Sequence, residues 1–241
     1  MCDANTGKLI CVVCASLTAE VGVPFQEVRT EVEQAPHGDP GSSLNTVFVS
    51  STRRDIDRLR KTVRLVLTEH FKDVVEAFPT ERWDSSLKPA EIVAECRKRV
   101  MEADAFVLIL GLWYGWIPRG YKHSITHLEF KWARQRWLRV RYPRVFVLVP
   151  YVGGTTWRVL RKNAETYLRD MDSEARAKHK VQIDAFHEEA IGGKRIGDPR
   201  RDWRIVNYYD NDIDLFRKFK ETMAVWKREA IIEELKNYSN P

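Results

Sequence analysis

Hydrophobic positions along this chain fall in blocks that switch between the period of a strand and the period of a helix. Residues 46–51, with Val47, Phe48 and Val49, form a short β-rich apolar run, fit for a strand buried on both faces. A helical stripe follows: Ile56, Leu59, Val63, Val66 and Leu67 predict a helix running from Thr52-Arg53-Arg54-Asp55 to about Phe71. Residues 73–78 read as a second strand and 79–88 as a polar loop. Pro89 opens a second helix, with Ile92, Val93, Cys96, Val100 and Met101 on its inner side. The most apolar run, 105–112, belongs at the centre of a sheet. A third helix over 124–139, a fourth strand over 144–151 and a fifth over 203–208 complete the alternation. Between the last two, residues 155–191 are strongly helical with a break near Asp172-Ser173. A closing helix over 213–235 carries Leu215, Phe216, Phe219, Met223, Trp226 and Ile231. Strands alternating with helices at short spacing predict a doubly wound, mainly parallel α/β sheet with helices on both faces. The organised domain is expected over 45–241. In the first 44 residues, 9–13 suit an extra edge strand, and 34–43, rich in Pro, Gly and Ser, suit a flexible linker.

Charge narrows the partners. The formal net charge of +6 and a sequence pI near 9.1 favour phosphate-bearing ligands. Acidic residues are interspersed with the basic ones and no block of five like charges occurs, which argues against nucleic-acid binding. Cys11 and Cys14 have metal-like spacing, but no second Cys or His pair completes a site, so no metal is expected. With only Cys2 and Cys96 besides, the thiol usage suits a reducing, cytoplasmic compartment. No apolar run reaches the roughly 18–20 residues that span a membrane. Residues 9–17 have the length of a signal-peptide core, but Asp3 beside Lys8 weakens that reading.

Candidate chemistry gathers at two strand ends and one helix start. Glu129 has two readings. Thr126-x-x-Glu129 is a capping box, yet at 100° per residue Glu129 shares a helical face with Ile125, Trp132 and Ala133. A carboxylate on an apolar face needs a partner or a task, and Arg136, two turns along, is a candidate partner. Ser50, Ser51 and Thr52 lie where a strand feeds a helix N-terminus, a place that suits phosphate, with Arg53 and Arg54 adding charge. The competing reading is plain capping by Thr52. No GxGxxG and no P-loop signature is present. Trp113, Tyr114 and Trp116, with Gly111 and Gly115, make an aromatic turn able to stack on a base or to pack beneath the next helix. His123 and His127 lie nearby, and nothing in the sequence pairs them with a Ser or Cys nucleophile.

Taken together, Val-Phe-Val-Ser-Ser-Thr at 47–52, Glu76, Gly-Leu-Trp-Tyr-Gly at 111–115, and Ser-x-Thr-x-x-Glu-Phe at 124–130 followed by Ala133 resemble a TIR-like domain. That domain is of uncharacterised function and is commonly found at the N-terminus of NACHT and other STAND-type NTPases. The resemblance covers about residues 45–150. It implies a five-stranded flavodoxin-like sheet and, as in many TIR relatives, cleavage of the nicotinamide–ribose bond of NAD. Structurally similar nucleoside deoxyribosyltransferases cleave base–sugar bonds. Both use a glutamate on the helix after the third strand, the place of Glu129. The resemblance then implies Ser124 at the ribose, Ser51 and Thr52 at the phosphates, and Trp113 or Tyr114 at the base, with Ser50, Arg53 and Thr126 also expected among the substrate-binding residues. NAD enters as substrate, with no cofactor. A cytoplasmic effector of immune defence or cell death, oligomeric on activation, is the expected role. The sequence departs from the resemblance in its helical insertion, 155–191, and in the absence of a Walker motif before Pro241, so the domain is expected to stand alone or to act with a separate sensor or NTPase partner. A non-enzymatic homotypic interaction module and a nucleoside or nucleotide base hydrolase or transferase are the alternatives.

Overall fold

The computed structural model describes residues 44–76, 88–140, 142–192 and 204–239; the side chains of Arg53, Val75, Glu76 and 237–239 lie outside that description. The predicted edge strand at 9–13, the linker at 34–43, the loop at 79–87 and three of the four cysteines also fall outside it.

The chain order is β1 (Thr46–Ser51), α1 (Arg53–His70), β2 (Val75–Glu76), α2 (Pro89–Glu102), β3 (Ala105–Ile109), α3 (Ile125–Val140), β4 (Arg144–Pro150), α4 (Thr155–Leu168), α5 (Ser173–Ile191), β5 (Arg204–Tyr209) and α6 (Asp212–Ser239). Four strands of five to seven residues, β1, β3, β4 and β5, carry the sheet, and two-residue β2 adds to its edge. Among the described residues all pairings are parallel, in the order β2-β1-β3-β4-β5. Of the predicted second strand over 73–78, residues 75 and 76 are strand, and 77 and 78 lie outside the described residues.

Alternation along each strand sorts the side chains into two layers. Val47, Val49, Val107, Ile109, Phe146 and Leu148 face α1 and α6, together with Leu160 of α4. Phe48, Phe106, Leu108, Val145 and Val147 face α2, α3 and α5. The stripe predicted for α1 is buried at all five positions, as are Leu215, Phe219, Met223 and Trp226 of α6.

The predicted insertion has two separable parts. A parallel pair needs a crossover, usually a helix, and α5 serves as that crossover between β4 and β5. Its Ile183, Phe186 and Ala190 fill the α2/α3 layer. Helix α4 is the additional element. It packs on the opposite layer against α1, and its N-terminus is tied to the end of β5, where Asp210 Oδ1 accepts the Thr155 N–H at 2.8 Å. The hairpin α4–α5 thus passes from one face of the sheet to the other beside the carboxyl ends of the strands. No helix among the described residues is long and apolar enough to cross a membrane.

Candidate functional site

Strand order reverses at β1 and β3, with β2 on one side and β4 on the other. The crevice outside the carboxyl ends at such a switch point is where open α/β sheets bind ligands. Four structures meet there: the end of β1, the start of α1, the loop after β3 and the start of α3.

Glu129 is held from β1, not by its own helix. The first half of α3 is buried all round, from Thr126 to Ala133, because it lies between α2 and α5 above the sheet. The Glu129 carboxylate consequently points to the strand, where Ser50 Oγ donates to Oε2 at 2.5 Å. The Cys96 thiol of α2 supplies a second hydrogen bond, and the charge of Arg60 on α1 acts on the same carboxyl. Burial outweighs these and lifts Glu129 from 4.5 to about 7. Its residual exposure is 6 %. The same burial, with Glu129 beside it, pushes the Cys96 thiol far up.

The capping-box reading of Glu129 gives way to Ser124. That residue is fully buried, its Oγ accepts the His127 N–H at 3.3 Å, and its carbonyl accepts the Leu128 N–H at 2.9 Å. Arg136 is not the partner of Glu129. Two turns away, its Nη1 donates to the carbonyls of Val100 (3.3 Å) and Ala103 (2.6 Å), closing the C-terminus of α2.

Ser50, Ser51 and Thr52 diverge because successive strand residues face opposite layers. Ser50 takes Glu129; Ser51 Oγ accepts from Arg60 Nη1 at 3.1 Å on the other side. Thr52 occupies the N-cap position of α1 without capping it, and its hydroxyl donates to Asp55. Thr126 is buried in the first turn of α3. Arg53 starts α1, with its side chain outside the described residues.

Asp55 clamps the loop after β3. Oδ2 accepts the N–H groups of Leu112 (2.7 Å) and Trp113 (2.9 Å). Burial pushes this carboxyl above its ordinary range, against the pull of those hydrogen bonds and of Thr52. The loop has no room for a side chain at Gly111, where a Cβ would lie 2.8 Å from Asp55 Cγ. Gly111→Ala is therefore expected to displace the carboxylate and strand two part-buried N–H donors. The cost is about 2–4 kcal/mol, read as a lower urea midpoint at unchanged slope; an unchanged midpoint would remove the clamp.

Helix α5 grips the same loop from the other side. His187 Nε2 meets the Gly111 carbonyl at 2.7 Å, and the Tyr114 N–H donates to His179 Nε2 at 3.1 Å. Burial lowers both imidazoles, which keeps them neutral. Tyr114 is 2 % exposed, and its hydroxyl lies 2.9 Å from His127 Nδ1 and 3.3 Å from His123 Nδ1. Burial brings His123 down to about 4 and lowers His127 as well. A neutral His127 accepts the Tyr114 hydroxyl at Nδ1 and donates from Nε2 to Glu189 Oε2 at 2.9 Å. The cations holding Glu189 are Lys131 (3.3 Å) and Arg134 (3.2 Å). Burial alone would raise Glu189; the His127 hydrogen bond and these charges bring it to about 2.

Trp113 lies between His179 (ring centroids 4.9 Å apart) and the Arg54 guanidinium (4.8 Å from its centroid). Tyr167 of α4 meets it edge-on, sits 5.0 Å from the same guanidinium, and donates from its hydroxyl to the Arg54 carbonyl at 3.0 Å. Both aromatic residues assigned to the base by resemblance are thus engaged by protein groups.

Sequence reasoning did not find Arg60, Tyr167, His179, His187 or Glu189. Two signals were available: Arg60 falls on the apolar stripe of α1, four residues after Ile56, and His179 shares a helical line with Ile183, Phe186 and Ala190. Among the described residues, no group of three or more His, Cys, Asp or Glu side chains is placed to hold a metal.

These features define a parallel α/β domain with a buried glutamate, its carboxyl raised toward neutrality by burial, at the switch point of its sheet. The chain belongs to the family described as a domain of unknown function (DUF4062), which matches residues 46–224, a span that includes α4 and α5. No curated protein matches the chain.

Proposed function

We propose that this is a TIR-like domain with a flavodoxin-like sheet that cleaves the N-glycosidic bond of NAD or a related nucleotide, with Glu129 as the catalytic residue. The observation that carries the reading is the position and state of Glu129: beside the carboxyl end of β1, 2.5 Å from Ser50, with its proton affinity raised to about pH 7. Breaking the nicotinamide–ribose bond develops positive charge on the ribose, and an ionised carboxylate in a low-dielectric site stabilises that charge. Water then adds at the anomeric carbon. Nicotinamide leaves as the neutral base, the sugar nucleotide keeps the hydroxyl, and one proton is released. Ser50 holds Glu129 before substrate arrives, and the ribose hydroxyls take over that hydrogen bond.

With Glu129 only 6 % exposed, access requires the crevice to open. Opening on self-assembly, under a separate sensor or NTPase partner, in cytoplasmic defence or cell death, completes the proposal. Nucleic acid is not a partner in it. The direct test is nicotinamide release from NAD at dilute and crowded protein concentrations, with Glu129→Ala alongside. Turnover lost in the variant supports the reading, and turnover that persists removes Glu129 from it.

The closure of Glu129 and the engagement of Trp113 and Tyr114 favour one second reading, a non-enzymatic interaction module. It requires self-association or partner binding indifferent to Glu129→Ala, with no nucleotide turnover.

A further inference from the structure

We propose that Trp116, and not Trp113 or Tyr114, is the ring-stacking residue of this crevice, and that its ligand is a nucleotide whose phosphates meet Arg119 and Lys122. The inference rests on the reading of the Glu129 crevice as a nucleotide site and adds the residue that recognises the base.

Trp113 has His179 and Arg54 against its ring, and Tyr114 is buried beneath α3. Trp116 is 43 % exposed. An exposed tryptophan alone means little, but the backbone around this one is fixed at the crevice. Gly115 has φ +92°, which favours glycine. A Cβ there would lie 3.1 Å from Thr52 Cγ2 and 3.6 Å from Ser124 Cβ, so the chain reaches Trp116 by passing between the end of β1 and the start of α3. The Trp116 carbonyl accepts the Ile125 N–H at 2.9 Å, tying it to the first residue of α3. A turn follows, closed by Tyr121 N–H to the Pro118 carbonyl at 3.0 Å, while Ile117 and Tyr121 pack into the α2/α3 layer.

A large aromatic ring is thus presented by a loop anchored at both ends, which limits the entropy lost on binding. Arg119 and Lys122, on the same short loop, are exposed. A π-face with neighbouring cations suits a planar base carried on a sugar phosphate.

The test titrates the full chain with NAD and with ribose 5-phosphate, which lacks the ring, using ligand-observed NMR on wild type, Trp116→Ala, Trp116→Phe and Glu129→Gln. Trp116→Ala is expected to weaken NAD binding about tenfold or more, within the range of a lost base–aromatic stack. It should leave ribose 5-phosphate unaffected, and Trp116→Phe should restore most of the NAD affinity. Equal NAD affinity for wild type and Trp116→Ala overturns the inference, as does absence of NAD binding by wild type. The two readings fail separately. Turnover lost in Glu129→Gln with NAD binding indifferent to Trp116 leaves the glycohydrolase standing without this residue. Trp116-dependent NAD binding without turnover at any protein concentration leaves the nucleotide site standing without the reaction.

Discussion

Glu129→Gln is expected to cut turnover in the proposed reaction sharply while making the folded protein more stable at neutral pH. The glutamine keeps the shape and still accepts the Ser50 hydrogen bond, but it carries no charge to stabilise a cationic ribose. Loss of an electrostatic group of this kind costs on the order of 10²-fold or more in rate. The stability gain follows from the sign of the pKa shift. Glu129 is raised from 4.5 to about 7 in the folded chain, so the folded state binds the proton more tightly than the unfolded state. Stability is fully present below the unfolded value and falls as pH rises from about 4.5 to about 7. Above that window the penalty amounts to roughly 3 kcal/mol, and the glutamine variant does not incur it. Urea midpoints at pH 5 and pH 8 read this directly: the variant's midpoint should exceed that of wild type by more at pH 8 than at pH 5. A difference independent of pH would show that Glu129 is not held protonated. Turnover, in the proposed reaction, should rise with pH through about 7 as the carboxyl ionises.

Glu189→Ala carries the opposite expectation, a large loss of stability. Glu189 gathers His127, Lys131 and Arg134 onto α5, and Lys131 is itself 5 % exposed. Glu189 is 22 % exposed and Arg134 37 %, so removing the acidic member costs less than in a fully buried group, about 2–3 kcal/mol. The effect reaches the crevice because the same network continues to Tyr114 through His127, which stacks on Phe186 at 4.4 Å. The variant should therefore unfold at lower urea and show earlier hydrogen exchange in residues 111–114 than in β1. Its pH signature is also defined. Glu189 is depressed to about 2, so its contribution is present above about 4.5 and is lost as pH falls toward 2. Acid sensitivity in that window should flatten in Glu189→Ala. Undiminished stability, or exchange unchanged in the loop, would remove α5 from its role as a clamp.

Both expectations depend on contacts between elements far apart in the chain, and that separates what the sequence by itself determined from what it did not. Period and turn chemistry are local. They placed β1, α1, α2, β3, α3, β4 and α6 within a few residues and located the break between α4 and α5 at Asp172-Ser173. The parallel α/β class follows from the alternation, and α1's stripe named its own buried face. Glu129 was legible as a carboxylate on an apolar helical face, since a helical wheel needs only one helix. Its partner was not legible: Arg136 lies along the same face, but Ser50, Cys96 and Arg60 come from three other elements, and only packing chooses among them. The aromatic turn was likewise visible as a group. Which of its three rings remained exposed was decided by Arg54, by the extra helix α4 and by the histidines of α5. Local spacing fixes which side chains share a face; tertiary packing of distant elements fixes which of them are left with a free surface, a shifted proton or a task.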